Sequence, residues 1–137
     1  MSTTSASQLN AFAKAAFGGV SYSGAATFYA GLIVGASDGV TGGTEVSSDN
    51  YDRVAIINNE VNFVSISDGV VKNDVAFTWP QSTAAWGTIN CVRLFDAPSG
   101  GNIEFGALLS PPISISGSGI TLNIPTRSLT FTVTSNP

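Results

Sequence analysis

The spacing of apolar and polar residues changes near Gly19, from a helical period to strand-like alternation. Before this point, apolar residues recur at helical spacing in QLNAFAKAAF (residues 8–17), and Ser7 is placed to cap the N-terminus. Gly18 and Gly19 follow where a helix of this length would end. The pattern predicts an N-terminal arm with a short helix over residues 1–19.

After Gly19, short β-rich runs alternate with turn residues. The clearest runs are ATFYAGLIVGA (26–36), YDRVAII (51–57) and GTINCVRLFDA (87–97), and PSGG forms a hairpin turn into NIEFGALL (102–109). SDGVTGGTEVSSDN (37–50) is a glycine-dense loop in this interpretation. About eight strands predict a single all-β domain over residues 20–137, an antiparallel β-sandwich or jelly-roll-like barrel.

Few charges interrupt this pattern. Hydrophobic residues make up 43% of the 137 residues and charged residues only 10%, with a net charge of −4. Such a surface dissolves poorly as a monomer, so we expect other subunits to cover part of it. The five basic residues are scattered singly, which argues against nucleic-acid binding. The chain has no apolar run long enough for a transmembrane helix and no recognisable secretory signal, so we expect no membrane association and synthesis in the host cytoplasm.

Catalytic chemistry has little support in the sequence. The chain has no histidine, which removes Ser-His-Asp and Cys-His catalysis and histidine-based zinc sites. Its single cysteine, Cys91, lies in an apolar strand and is expected to be a buried small residue. We therefore expect no enzyme and no cofactor.

Two carboxylate arrangements remain as alternatives. Asp96 and Glu104 flank the PSGG hairpin and could face one sugar as a glycosidase pair, although a turn-capping role for Asp96 is favoured. Asp38, Glu45 and Asp49 could offer calcium oxygen ligands on the glycine-dense loop, without the spacing of a known calcium loop.

Two arginines lie within apolar strands. Arg53 and Arg93 could contact an anion or a neighbouring subunit, or they could lay their stems along the core and reach a carboxylate or carbonyl. The two interpretations have equal weight for Arg93. Trp86 and Phe95 are expected to be core anchors.

Two blocks of sequence resemble a widespread family of small virion proteins of tailed bacteriophages, often labelled tail fibre or minor structural proteins. The first block comprises the Gly18-Gly19-x-x-Tyr22 turn, the aromatic-rich strand from Thr27 to Leu32, and a loop with Gly43-Thr44-Glu45-Val46-Ser47 and Tyr51-Asp52-Arg53. The resemblance implies a virion structural protein.

The second block lies in the later half of the chain. It comprises Phe77, Pro80, Trp86-Gly87-Thr88, Phe95-Asp96-Ala97, Ser99-Gly100-Gly101-Asn102 and Gly106-Ala107-Leu108. Two departures from the family pattern affect the local surface: Arg93 replaces a small residue, and Pro111-Pro112 interrupt the approach to the closing strands.

Three structural or binding roles remain, two of them in the virion and one from another class of protein. A compact domain of this size has a radius of gyration of about 14 Å, and the chain has no coiled coil or repeat, so by itself it is not a long fibre. Capsid decoration that stabilises the head shell is the favoured expectation. The alternatives are a tail-associated component, such as a short fibre or fibre base, and a carbohydrate-binding module using Tyr22, Tyr29 or Trp79.

The expected mechanism is assembly in the virion through protein contacts. We expect a homo-oligomer, with a trimer as the specific prediction, which binds the major capsid protein or another virion protein. The predicted partner contacts are Leu9, Phe12, Phe17, Gly42, Glu45, Asn50 and Arg93. For Leu9 and Phe12, packing within their own domain is an equal alternative.

Overall fold

The computed structural model describes residues 3–4, 13, 17, 25–48, 50–67 and 69–132. Within them the chain forms antiparallel strands, which confirms the all-β class. In chain order the strands are β1 (Thr3–Thr4), β2 (Thr27–Ser37), β3 (Gly42–Glu45), β4 (Val54–Ile57), β5 (Phe63–Ser67), β6 (Val70–Asn73), β7 (Phe77–Thr78), β8 (Gly87–Phe95), β9 (Ile103–Ile115), β10 (Asn123–Ile124) and β11 (Thr130–Thr132).

The largest sheet has the order β1-β9-β8-β2-β3, and β4 also pairs with β2. Strand β2 pairs along one side with β8, while its other side is shared by β4 and β3 in turn. The ladder with β4 runs as far as Ala30, and the ladder with β3 begins at Ile33. A short gap at Gly31 and Leu32 therefore separates the two partner strands.

Two smaller sheets pack against one face of the large sheet. They have the orders β11-β6-β5 and β10-β7. The Phe28 ring on β2 meets the Phe63 ring on β5 edge-on, with centroids 5.6 Å apart, and Phe63 meets Phe131 on β11 at 6.4 Å. The apolar core lies at this contact and includes Leu32, Phe77, Trp79, Val92 and Leu94.

The opposite face of the large sheet is also buried. Because side chains alternate along a strand, Cys91, Arg93 and Phe95 point away from the core that contains Val92 and Leu94. The turn after β2 covers this outer face: a Cβ on Gly106 would lie 2.3 Å from the Gly39 carbonyl oxygen. Glycine at position 106 is required because the turn backbone touches the sheet.

Several sequence expectations can be compared with these strands. The PSGG hairpin is confirmed: it joins β8 to β9, and the Asp96 N–H donates to the Asn102 carbonyl at 3.1 Å. The expected uninterrupted loop 37–50 is wrong, because Gly42–Glu45 forms β3 against Ile33 and Val34. Glycine lowers strand propensity, but an available sheet edge overrides that preference.

Pro111-Pro112 interrupt the pairing of β9 with β8, but β9 itself continues to Ile115. Cys91 pairs with Leu108 and Ile89 with Ile113, so Leu109–Pro112 oppose the single residue Asn90. A bulge of this kind leaves residues outside the ladder, and both prolines are exposed there. Proline is tolerated because no ladder N–H is needed.

The N-terminal helix falls almost wholly outside the described residues and stays a prediction. The structure describes two positions of that segment, Ala13 and Phe17, and both are exposed. Across the described residues, no helix has the length and apolar character needed to cross a membrane.

Candidate functional site

Arg53 occupies the centre of a polar site beside the outer face. It immediately precedes β4, and its guanidinium forms a two-pronged ion pair with Glu45, with Nε 2.8 Å from Oε2 and Nη2 2.7 Å from Oε1. The Arg53 side chain is only 7% exposed and that of Glu45 26%. Paired geometry and little exposure make this a strong, specific ion pair.

The other prong of Arg53 holds the β8–β9 hairpin. Its Nη1 donates to the carbonyl oxygens of Ala97 at 2.8 Å and Gly100 at 2.9 Å. The guanidinium carbon lies 3.5 Å from the centroid of the Phe95 ring, in cation–π geometry. One side chain therefore joins the end of β3, the start of β4 and the hairpin.

Tyr51 fills the gap in the ladder beside β2. Its hydroxyl donates to Glu45 Oε2 at 2.6 Å and accepts the Leu32 N–H at 2.9 Å. The Val46 N–H meets the Leu32 carbonyl at 3.0 Å. The Leu32 N–H and C=O, which lie in the gap between β4 and β3, are thus hydrogen-bonded by Tyr51 and Val46.

Gly31 makes room for this site. A Cβ at position 31 would lie 2.6 Å from Glu45 Oε2 and 2.8 Å from the Phe95 ring. These distances are below normal contact, so any larger residue displaces the Glu45 carboxylate.

Asp96 closes the hairpin that Arg53 holds. Its Oδ1 accepts the Asn102 N–H at 2.7 Å, and its Oδ2 accepts the Asn102 amide at 3.1 Å. These bonds, the backbone one first, lower the pKa of Asp96 below its ordinary value. Gly101 has φ 74°, and a Cβ there would be 2.4 Å from Asp96 Oδ1. The favoured expectation, a turn-capping carboxylate, matches this geometry.

The electrostatics of the site favour an ionised Glu45. Burial alone would raise its pKa, but hydrogen bonds from Arg53 and Tyr51 and the positive charges of Arg53 and Arg93 lower it below its ordinary value. Burial and the Glu45 hydrogen bond raise the pKa of the Tyr51 hydroxyl. Tyr51 therefore remains a neutral donor at physiological pH.

Arg93 forms a second buried polar contact on the same face. It is 6% exposed, its Nε donates to the Gly39 carbonyl at 2.7 Å, and its Nη2 donates to Ser37 Oγ at 2.9 Å and to the Gly42 carbonyl. The head of Arg93 thus reaches carbonyls of its own chain, one of the two interpretations above. The adjacent Cys91 is fully buried, and burial raises the pKa of its thiol.

A shallow pocket of about 210 Å³ opens above the Arg53 site. Its lining residues are Glu45, Tyr51, Asp52, Arg53, Pro98, Ser99 and Gly100. The Arg53 guanidinium and the Glu45 carboxylate bind each other and their own chain, which leaves neither available as a general base. The arrangement holds loops together.

Asp96 and Glu104, the alternative glycosidase pair, have different environments. Glu104 is 9% exposed, and its burial, followed by the charge of Asp96, raises the pKa of its carboxyl. Asp96 itself is bound to Asn102.

Two of the three candidate calcium ligands have partners in their own chain. Asp38 caps its own turn, accepting from the Val40 and Thr41 N–H groups, and Glu45 is paired with Arg53. Within the described ranges no three His, Cys, Asp or Glu residues cluster as metal ligands, and Asp49 lies outside them.

Aromatic residues proposed for carbohydrate binding lie in different places. Trp79 is 1% exposed and its indole donates to the Ala30 carbonyl at 3.1 Å, so its ring cannot stack on a sugar. Tyr29 is half-buried, and Tyr22 lies outside the described residues.

The predicted partner contacts do not form one cluster. Glu45 belongs to the Arg53 site, the carbonyl of Gly42 binds Arg93, and the Asn50 side chain donates to the Gln81 carbonyl at 2.6 Å. Phe17 is 93% exposed, while Leu9 and Phe12 lie outside the described residues. Their roles as partner contacts stay predictions.

The sequence did not identify the central role of Tyr51 and Arg53. The available signal was their position in a Tyr-x-Arg triplet eight residues or fewer after Glu45, in a chain where charges are rare. The structure brings together the two blocks on which the family resemblance rested: Glu45, Tyr51 and Arg53 from the first meet Phe95, Ala97 and Gly100 from the second.

Comparison with known proteins gives one family. A family model described as "Podophage GP4 fiber I protein gp80" matches residues 3–132. No curated protein matches the chain. The match covers both blocks that meet at Arg53.

Proposed function

Because the chain belongs to the family of the podophage GP4 fiber I protein gp80, we propose that it is a non-enzymatic structural component of the phage virion, associated with the tail fibre. The observation that supports this role best is the use of the buried charged groups. Arg53 and Arg93 bind carbonyls and carboxylates of their own chain, which fixes loops on the outer face. A surface whose loops are fixed in this way suits assembly.

The fibre description favours the tail-associated role over capsid decoration, which was the favoured expectation from the sequence. A fibre component of this size acts as one unit of a larger assembly, through many contacts that add by mass action. The proposed partners are further copies of this chain, as a trimer, and another virion protein. Localisation in the virion follows from the same role.

We further propose that the three sheets form a β-sandwich. Support comes from the edge-to-face contact of Phe63 on β5 with Phe28 on β2, and from the hydrogen bond of the Trp79 indole, directly after β7, to the Ala30 carbonyl on β2. Contacts of this kind are expected of sheets that face each other across a shared core.

The copy number in purified virions tests the tail role. Quantitative mass spectrometry is expected to give a stoichiometry comparable with that of tail proteins, and particles lacking the protein are expected to keep intact heads yet adsorb poorly to cells. A stoichiometry comparable with the major capsid protein, with fragile heads after deletion, would support decoration instead. Absence from virions would contradict both roles.

A further inference from the structure

An open groove lies beside β5 and the turn that precedes it. Its volume is about 600 Å³, within the range of about 300–1,000 Å³ that is typical of binding clefts. Next to its lining along the chain, Ile57 is 61% exposed and Val61 is 75% exposed. Apolar surface rimmed by polar residues is typical of an interaction site. The lining includes three apolar residues and three polar residues from the turn: Phe63, Val64 and Val71, and Asn58, Asn59 and Glu60.

The segment of the chain before β2 has chemistry that matches this groove. Apolar residues recur at helical spacing over residues 8–17, which predicts one apolar face. Lys14 is the only charged residue in the sequence from 1 to 24, and Glu60 is the only charged residue among the described residues that line the groove. An apolar face with one positive charge therefore complements an apolar groove with one negative charge.

The same segment enters the domain beside the groove. Asn58, which lines the groove, donates from its side-chain amide to the Ala25 carbonyl at 2.8 Å, and its N–H donates to the Ala26 carbonyl at 3.0 Å. The chain between Phe17 and Ala25 spans up to about 28 Å when extended, which is enough to reach an adjacent copy. Phe17 is 93% exposed in its own copy, so its ring is available to a neighbour.

From these observations we propose that the groove binds residues 8–17 of a neighbouring copy, with the apolar face of that segment on Phe63 and Val64 and with Lys14 beside Glu60. The contact joins two different surfaces, so it repeats from head to tail and closes into a ring when the rotation between copies allows it. A ring of three copies satisfies this requirement. The inference rests on the proposed structural role, with its trimer, and names the contact that would hold the copies together.

Disulfide crosslinking between two full-length variants tests the contact. Phe17→Cys chains are mixed with Val61→Cys chains of different mass and oxidised gently. Both positions are exposed and the native Cys91 is fully buried, so the core is left intact and only the new thiols are accessible. The matched control mixes Phe17→Cys with Ser99→Cys, since Ser99 is exposed on the β8–β9 hairpin and does not line the groove. We expect about tenfold more mixed disulfide with Val61→Cys than with the control.

Two results of the crosslinking would overturn the proposal. One is a mixed disulfide no more abundant than in the control. The other is a Phe17→Cys, Val61→Cys double variant that forms its disulfide only within single chains, because the segment then occupies the groove of its own copy.

Sedimentation velocity over a range of concentrations is the second measurement. We expect the wild type to self-associate, and Val61→Asp to weaken that association about tenfold with unchanged circular dichroism. A wild type that is monomeric throughout, or a variant that associates like the wild type, would overturn the proposal. Incorporation into virions is scored separately: a monomer that enters virions contradicts only the groove contact, and an oligomer that is absent from virions contradicts only the proposed function.

Discussion

The two faces of β8 are both buried, but they are stabilised by different interactions. Val92 and Leu94 point into an apolar core, where stability comes from removing hydrocarbon from water. Arg93 and Phe95 point to the outer face, where arginine side chains meet carbonyls, a carboxylate and a ring. The stability contributed by the apolar face depends on how well its side chains fill the available volume. The stability contributed by the polar face depends on hydrogen-bond donors and acceptors in fixed positions.

This difference predicts different tolerance to conservative change. The inner face should accept a residue of similar volume, since packing can adjust. The outer face should reject a residue of similar charge, because the two-pronged geometry of arginine cannot be reproduced by lysine. The following variants test the comparison, beginning with the largest expected effect.

Leu94→Ala tests the inner face. Leu94 is 2% exposed and lies in the main core, so the cavity is expected to lower the free energy of unfolding by about 3–4 kcal/mol. Leu94→Met keeps most of the volume and should cost under about 1.5 kcal/mol. Urea denaturation measures both; equal losses would contradict the volume argument.

Arg53→Met tests the outer face. It removes the donor of the Ala97 and Gly100 carbonyls and leaves Glu45 with the Tyr51 hydroxyl but without its ion-pair partner. We expect a loss of about 2–3 kcal/mol, since Glu45 is partly exposed. Arg53→Lys should lose nearly as much. The control is Arg127→Met, which removes an ion pair with Asp74 that is 54% exposed on the arginine side and should cost under about 1 kcal/mol. A lysine variant as stable as the wild type would show that charge alone is sufficient.

Gly31→Ala adds a methyl group at the point where the site touches β2. The new Cβ would crowd Glu45 Oε2 and Phe95, which should cost about 1–3 kcal/mol. Gly117→Ala is a matched control because a Cβ there meets nothing within 4 Å. Thermal unfolding of the two variants should differ clearly; if they match, the outer face tolerates crowding.

Acid should weaken the outer face through Glu45. The folded pKa of Glu45 is lowered, so its contribution to stability is present above the ordinary glutamate value of 4.5 and is lost as the pH falls further through the folded pKa. We expect the unfolding temperature of the wild type to fall below pH 4.5. Glu45→Gln should fall less steeply over the same range, although it is less stable at neutral pH. Parallel pH profiles would exclude Glu45 as the cause.

Glu104 should change the pH dependence of stability in the direction opposite to Glu45, and its effect should be the smallest of those tested here. Its folded pKa is raised, so the protonated carboxyl adds stability below the ordinary value of 4.5, and this stability is lost as the pH rises through the folded pKa. Glu104→Gln should therefore slightly raise the unfolding temperature at pH 7. Glu60→Gln, at an exposed position, removes the same charge and should change little. A lower unfolding temperature for Glu104→Gln would contradict this sign.

Much of the strand pattern could be predicted from the sequence because β-branched and apolar runs separated by turn residues depend mainly on local chemistry. The PSGG hairpin and the burial of Cys91, Trp86 and Phe95 are confirmed for this reason. Strand β3 could not be predicted, because its glycines form a strand only where β2 offers an edge. The continuation of β9 through Pro111-Pro112 likewise depends on the bulge opposite Asn90.

The candidate site was less predictable than the strands. Arg53 was recognised as an arginine in an apolar strand, but its partners come from residues 45, 51, 97 and 100, which are separated along the chain. Such a meeting point is set by the order of strands in the sheet, which periodicity does not encode. The two blocks that carry the family resemblance contain the segments that form the Arg53 site, but the sequence does not indicate that these segments are in contact.

The hydroxyl of Tyr51 gives the site a natural reporter. It accepts the Leu32 N–H at the point where neither neighbouring strand reaches β2. The exchange of that one amide hydrogen with solvent deuterium therefore depends on a side chain and not on a strand partner. In a Tyr51→Phe variant the Leu32 amide should exchange much faster while its neighbours on β2 keep their rates. The lifetime of this single proton thus records how often the segment from Glu45 to Arg53 moves away from the sheet.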